Sequence, residues 1–136
     1  SMHERVEICE FVSLFNDDVI FVEAKSSFPD SKNPDDFEKN VTSIVKKFQN
    51  STQLFAAILV DRPFRVKTLL PEKLCPGSIK NKKWICYFII NGHEDEWLED
   101  IDDEINARMN DLKKCFYIEQ INVLNDKFAK ELKLIC

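Results

Sequence analysis

The sequence predicts an α/β domain, with a central mixed β-sheet flanked by helices and elements in the order β-β-α-β-α-β-α. Three observations carry that prediction. Short runs rich in β-branched and aromatic residues, such as VEICEFVSLF at 6–15 and WICYFII at 84–90, have the length and composition of strands. Longer stretches between them repeat apolar residues at helical spacing. Strands that alternate with helices build a sheet covered on its faces, as opposed to a sandwich.

The first two strands are residues 6–15 and Val19–Lys25, joined by the turn residues Asn16, Asp17 and Asp18. They form a hairpin. Ser26–Pro34 is a polar loop containing Pro29 and Pro34. A helix begins at Asn33-Pro34, a cap followed by a proline that has no N–H to lose in the first turn. Asp35, Asp36 and Glu38 suit its positive end. Phe37, Val41, Ile44, Val45 and Phe48 recur along one side. Leu54–Val60, LFAAILV, either continues this helix or forms a strand after a break at Asn50-Ser51; its length and Ala56-Ala57 favour the helix.

Residues 61–83 hold Pro63, Pro71, Pro76 and Gly77 and read as a long exposed connection. Its lysines, Lys67, Lys73, Lys80, Lys82 and Lys83, could meet a nucleic-acid backbone, and a soluble loop accounts for them equally well. Trp84–Ile90 ends at Asn91-Gly92 and is a central strand. Glu94–Lys114 reads as a helix with Trp97, Leu98, Ile101, Ile105, Met109 and Leu112 inward. Ile118–Leu124 is the last strand. Asp126–Leu134 is the last helix, with Phe128, Ala129 and Leu132 inward.

The length of 136 residues suits one core, and 44% hydrophobic against 32% charged residues suits a soluble globular chain. The expectation is a single domain over residues 3–136, with Ser1 and Met2 a start or an added remnant. No apolar run has the length of a membrane span, so no membrane partner is expected. Cys9, Cys75, Cys86, Cys115 and Cys136 are odd in number and lack C-x-x-C spacing. That speaks for reduced thiols and a cytoplasmic location, against a zinc site or a disulfide framework. His3 and His93 are too far apart for a histidine-rich metal site. The net charge of −5 argues against non-specific gripping of nucleic acid but leaves room for a local basic groove. Eight carboxylates between Glu94 and Glu104 read as a solvated helix start. A calcium loop would alternate its ligands around a glycine, which this run lacks.

One stretch resists the simple pattern. In FVEAKSS, residues 21–27, a strand places Phe21, Glu23 and Lys25 on one face and Val22 and Ala24 on the other. Charges on a buried face are costly unless paired or bound to a metal. Folding the hairpin about Asn16-Asp17 pairs residues whose numbers sum to about 33, so Glu10 is expected opposite Glu23. Two neighbouring carboxylates repel unless a divalent cation lies between them. With a lysine alongside, this is equipment for metal-assisted phosphodiester hydrolysis. The alternative is a solvent-facing charge cluster on the hairpin.

Glu10-Phe-Val, a short turn, and then Val-Ile-Phe-Val-Glu23-Ala-Lys25-Ser-Ser resembles the PD-(D/E)xK nuclease superfamily, the restriction-endonuclease-like fold. In that family an acid begins one strand and E-x-K lies on the next, followed by a helix. The resemblance covers most of the chain. It implies a nuclease that hydrolyses phosphodiester bonds in DNA or RNA with Mg²⁺ or Mn²⁺. Glu10 and Glu23 would be metal ligands, with the Ala24 carbonyl a further one, and Lys25 the catalytic lysine. Ser26, Gln49 and Gln53 are candidates for contact with substrate. Glu10 stands where the family usually has aspartate, and Cys9 where it often has proline. Only five residues precede Val6, so the helix that precedes the hairpin in the family is expected outside this sequence or from a partner subunit, or else the active site is incomplete. A homodimer is compatible with the fold. A catalytically inactive relative, binding nucleic acid or serving protein assembly, is the alternative function.

Overall fold

A computed structural model describes residues 11–15, 17–29, 32–60, 82–92 and 95–131. Its centre is a four-stranded mixed sheet. Strands β1 (Phe11–Phe15), β2 (Asp18–Lys25), β3 (Trp84–Ile90) and β4 (Ile118–Asn125) lie in that spatial order. β1 and β2 are antiparallel, with Phe11 opposite Val22 and Phe15 opposite Asp18. This is the register expected from the turn. β2, β3 and β4 run parallel, and all of β3 is buried. A strand covered on both faces needs no polar alternation, which explains the unbroken WICYFII.

Helix α1 (Pro34–Leu59) crosses between β2 and β3 and starts at the expected cap and proline. It runs through Asn50-Ser51 without a break. Thr52 donates its hydroxyl to the Phe48 carbonyl at 2.8 Å, so a polar residue inside the helix is satisfied within it. LFAAIL therefore belongs to the helix, with Phe55 and Ile58 buried.

The stretch expected as one helix from Glu94 is divided. A 3₁₀ turn spans Asp95–Trp97, α2 spans Leu98–Arg108 and α3 spans Asn110–Phe116. The division falls at Met109, which leaves helical geometry (φ −97°, ψ 7°) while its side chain is fully buried. Leu98, Ile101, Ile105, Met109 and Leu112 face inward as expected, but Trp97 does not and is 45% exposed. The tighter 3₁₀ winding changes the phase just before α2, so Leu98 takes the inward position and Trp97 turns outward. The last helix, α4, spans Asp126–Glu131, with Ala129 fully buried and Phe128 half-buried. Leu132 lies outside the described residues, as do residues 6–10 of the first strand and residues 61–81 of the long connection.

The two faces of the sheet are packed separately. Val19, Phe21, Trp84, Cys86, Phe88 and Ile90 meet α1 and α2 in the larger cluster. Ile20, Val22, Ile85, Tyr87 and Ile89 point the other way, where Ala129 joins them. Aromatic edges knit the first face: the Phe21 and Phe55 rings are 5.5 Å apart and nearly perpendicular, and Phe28 meets Phe88 at 5.5 Å. Glu23 and Lys25 continue the Val19–Phe21 face and so point toward α1. Among the described residues no helix is long and apolar enough to cross a membrane.

Candidate functional site

The alternation of β2 turns Glu23 into the face covered by α1, where only 5% of the residue is exposed. A carboxylate there needs a partner, and α1 supplies it. Lys47 Nζ donates to Glu23 Oε1 at 3.1 Å. Two residues along the strand, Lys25 Nζ donates to Asn40 Oδ1 at 2.9 Å and lies 6.0 Å from the centroid of the Phe28 ring. Asn40 is held in turn, because its amide donates to the Asp36 carbonyl at 2.8 Å.

The two pairs follow from the crossover. α1 runs back along β2, so Asn40 near its start meets the end of the strand and Lys47 meets a point deeper in. Seven helical residues advance about 10 Å and two strand residues about 7 Å, a close enough match for both pairs to form. Asn91 N–H donates to the Lys25 carbonyl at 2.9 Å, extending the β2–β3 ladder by a step and fixing the lysine's backbone.

Glu23 is only half satisfied. Its Oε2 is buried and has no hydrogen-bond partner among the described residues. A buried carboxylate oxygen without a donor is unfavourable by the full loss of its hydration. It is also the donor atom a hard divalent cation takes. Further along, past the end of β2, opens a cleft of about 610 Å³, lined by Ala24, Lys25, Ser26, Ser27, Phe28, Pro29 and Asn40 but not by Glu23. The cleft lies at the carboxyl end of β2, where open α/β sheets commonly receive ligands. Ser26 and Ser27 are exposed on its wall.

Of the sequence-derived candidates, Glu23, Ala24, Lys25 and Ser26 therefore come together on one strand end. Glu10 lies outside the described residues. The described ladder ends one pair short of it, at Phe11 and Val22. Gln49 and Gln53 are both exposed on α1. At 100° per residue they stand about 200° and about 240° around the helix from Lys47, away from the stripe that meets Glu23. They are not part of this cluster. Among the described residues no three His, Cys, Asp or Glu side chains gather as a metal-binding group. What the described residues offer a cation is one carboxylate oxygen, Glu23 Oε2, which has no hydrogen-bond partner among them.

Lys47 and Asn40 were not singled out from the sequence. Their signal was present: Asn40, Ile44, Lys47 and Ser51 share one helical stripe, and Ile44 and Ser51 are buried. Two polar residues alternating with buried ones at that spacing mark a helix face that meets charge.

Of the basic residues before β3, Lys82 reaches Asp17 at 3.4 Å and Lys83 reaches Glu119 at 3.9 Å; Lys67, Lys73 and Lys80 lie outside the described residues. The acidic run contributes Asp95, which accepts from the Asn125 side chain, while Asn125 Oδ1 accepts from Phe128 N–H at 3.0 Å. These contacts tie the 3₁₀ turn, β4 and α4 together at the same end of the sheet as the cleft.

Comparison with protein-family models, with curated proteins and with solved structures returns no match. What the fold and the site define is a class: an α/β domain with a mixed sheet, carrying an E-x-K strand end over an open cleft.

Proposed function

We propose that this domain is a metal-dependent nuclease of the PD-(D/E)xK type, hydrolysing phosphodiester bonds in nucleic acid. The observation that carries the reading is the buried Glu23, whose Oε2 has no hydrogen-bond partner among the described residues, two residues before Lys25, which itself lines a cleft. An ordinary surface ion pair would leave neither a carboxylate this buried nor an oxygen this bare.

Glu23 would hold Mg²⁺ or Mn²⁺ together with Glu10 and the Ala24 carbonyl. When bound, such an ion polarises a phosphate and lowers the pKa of its coordinated water. The chain's own part is positioning and charge. Lys25 presents an ammonium at the cleft, its backbone fixed by Asn91, and would offset the charge that develops on a phosphoryl oxygen. Ser26 and Ser27 offer hydroxyl donors on the same wall. Asn40 keeps the Lys25 ammonium turned along α1 until substrate competes for it.

The experiment is a Mn²⁺-dependent cleavage assay over a panel of single- and double-stranded DNA and RNA, comparing the wild type with Lys25→Ala. Cleavage by the wild type, reduced at least a hundredfold in Lys25→Ala, supports the reading; a single well-placed charge is worth about that much. Cleavage of no substrate by the wild type overturns it.

A second reading, a catalytically inactive nuclease-fold module for nucleic-acid binding or protein assembly, is favoured by one observation. Glu23 and Lys25 each have a partner on α1, so their charges are already neutralised or held. Nucleic-acid binding without cleavage would favour that module.

A further inference from the structure

We propose that Lys47 and a divalent cation are alternative counter-ions for Glu23, so that Lys47 sets the protein's metal affinity. The inference rests on the metal site of the preceding section and deepens it. It does not depend on cleavage.

Glu23 cannot leave its position. Its strand is paired on both sides and its side chain is 7% exposed. Without a positive partner, a carboxylate at that depth would destabilise the fold strongly. Lys47 provides that partner, and its own position is different. It reaches in from α1 with 25% of its side chain exposed, on a flexible four-carbon stem. It can swing its ammonium back into water at little cost.

The contact is also one-sided. Lys47 takes Oε1 and leaves the buried Oε2 without a hydrogen-bond partner among the described residues, so one half of the carboxylate keeps lone pairs that a cation could take. A divalent ion seated on Oε2 would stand a few ångströms from the ammonium, and like charges at that range in a poorly hydrated site repel strongly. The two cations therefore oppose one another. Lys47 stabilises the metal-free fold and weakens the hold on metal. Lys47 is a positioning residue, acting through Glu23.

The test uses Mn²⁺ alone as probe, with chelator-treated protein and calorimetric titration. Lys47→Met keeps the apolar stem and removes the charge, and Lys47→Arg keeps the charge. We expect Lys47→Met to bind Mn²⁺ at least about tenfold more tightly than the wild type, Lys47→Arg to stay close to it, and Glu23→Gln to lose binding. A merely structural lysine would weaken binding when removed. Binding by the wild type with equal or weaker affinity in Lys47→Met overturns the inference and leaves the metal site standing. Absence of Mn²⁺ binding in every protein overturns both. If Lys47→Met is unfolded in chelator, circular dichroism during Mn²⁺ addition decides. Recovery of the fold supports the exchange, and an unfolded chain at saturating Mn²⁺ overturns it.

Discussion

Asp126 Oδ1 accepts the backbone N–H of Gly92 at 2.8 Å, tying the turn after β3 to the first residue of α4. Gly92 sits at φ +72°, which a residue without Cβ adopts freely, so its N–H is aimed outward from the Asn91-Gly92 turn. The contact binds the loops at the cleft end of the sheet to one another.

That hydrogen bond holds the Asp126 carboxyl below its ordinary value. A group whose folded pKa is depressed adds stability above its unfolded pKa, near 4, and loses it as pH falls through the folded value. The wild type should lose more stability between about pH 5 and pH 2 than Asp126→Asn, which keeps an acceptor but cannot titrate. Urea unfolding at several pH values measures this, and parallel curves for the two proteins would refute it. Asp102 works with the opposite sign. Burial pushes its carboxyl up, with Asp103 adding repulsion, so its ionisation opposes folding and its protonation in acid is a gain.

Arg108 joins α1 to α2. Its guanidinium donates to Glu38, to Thr42 at 3.1 Å and to Glu104 at 2.9 Å. Its side chain is largely covered but both carboxylates are well exposed, so screening by water limits the gain. Arg108→Met should lower stability by no more than about 1 kcal/mol, an amount that shrinks in concentrated salt. A loss unchanged by salt would assign the effect to packing instead.

Phe88 lies at the centre of β3, fully buried, with its ring against Phe28. Phe88→Ala should cost about 3–5 kcal/mol, a large part of the 5–15 kcal/mol that holds an ordinary domain together. Chemical denaturation would read this as a large drop in midpoint. A cost below about 1 kcal/mol would mean that the core around β3 closes over the gap.

Tyr117 ends α3 in the left-handed region (φ 53°, ψ 45°) with 89% of its surface exposed. Glycine is the usual residue at such a cap, because a Cβ there meets the backbone. Tyr117→Gly should therefore raise stability by about 0.5–1 kcal/mol. A destabilised variant would mean that the tyrosine ring contributes more than its backbone costs.

The hairpin was legible in the sequence because strand alternation and a short turn leave one register, and Phe11 duly faces Val22. The α1 start was legible from Asn33-Pro34, and the buried β3 from an unbroken apolar run. Strand alternation places Glu23 and Lys25 on one covered face, as the structure has them, but the sequence points to a partner across the hairpin. The described partners are Lys47 and Asn40, and which helix residues meet a strand depends on how the helix is rotated over the sheet. That rotation shows in Phe55 packing against both Phe21 and Trp84, a tertiary outcome that periodicity alone does not encode. The same gap hid the outward turn of Trp97, where the periodicity was right and the winding was not.

The parallel pairing of β2 with β3 has a consequence for the order in which the molecule is assembled. Val19 pairs with Trp84, and Lys25 with Ile90, so this ladder cannot begin until all of α1 and the chain as far as residue 84 have been synthesised. The β1–β2 hairpin and α1 are local and can form early, whereas pairing across such a separation is slow. During translation the edge of β2 that β3 will take therefore stays hydrated long after the β1–β2 hairpin has closed. The arrival of β3 removes that edge and completes the sheet, late in the birth of the chain.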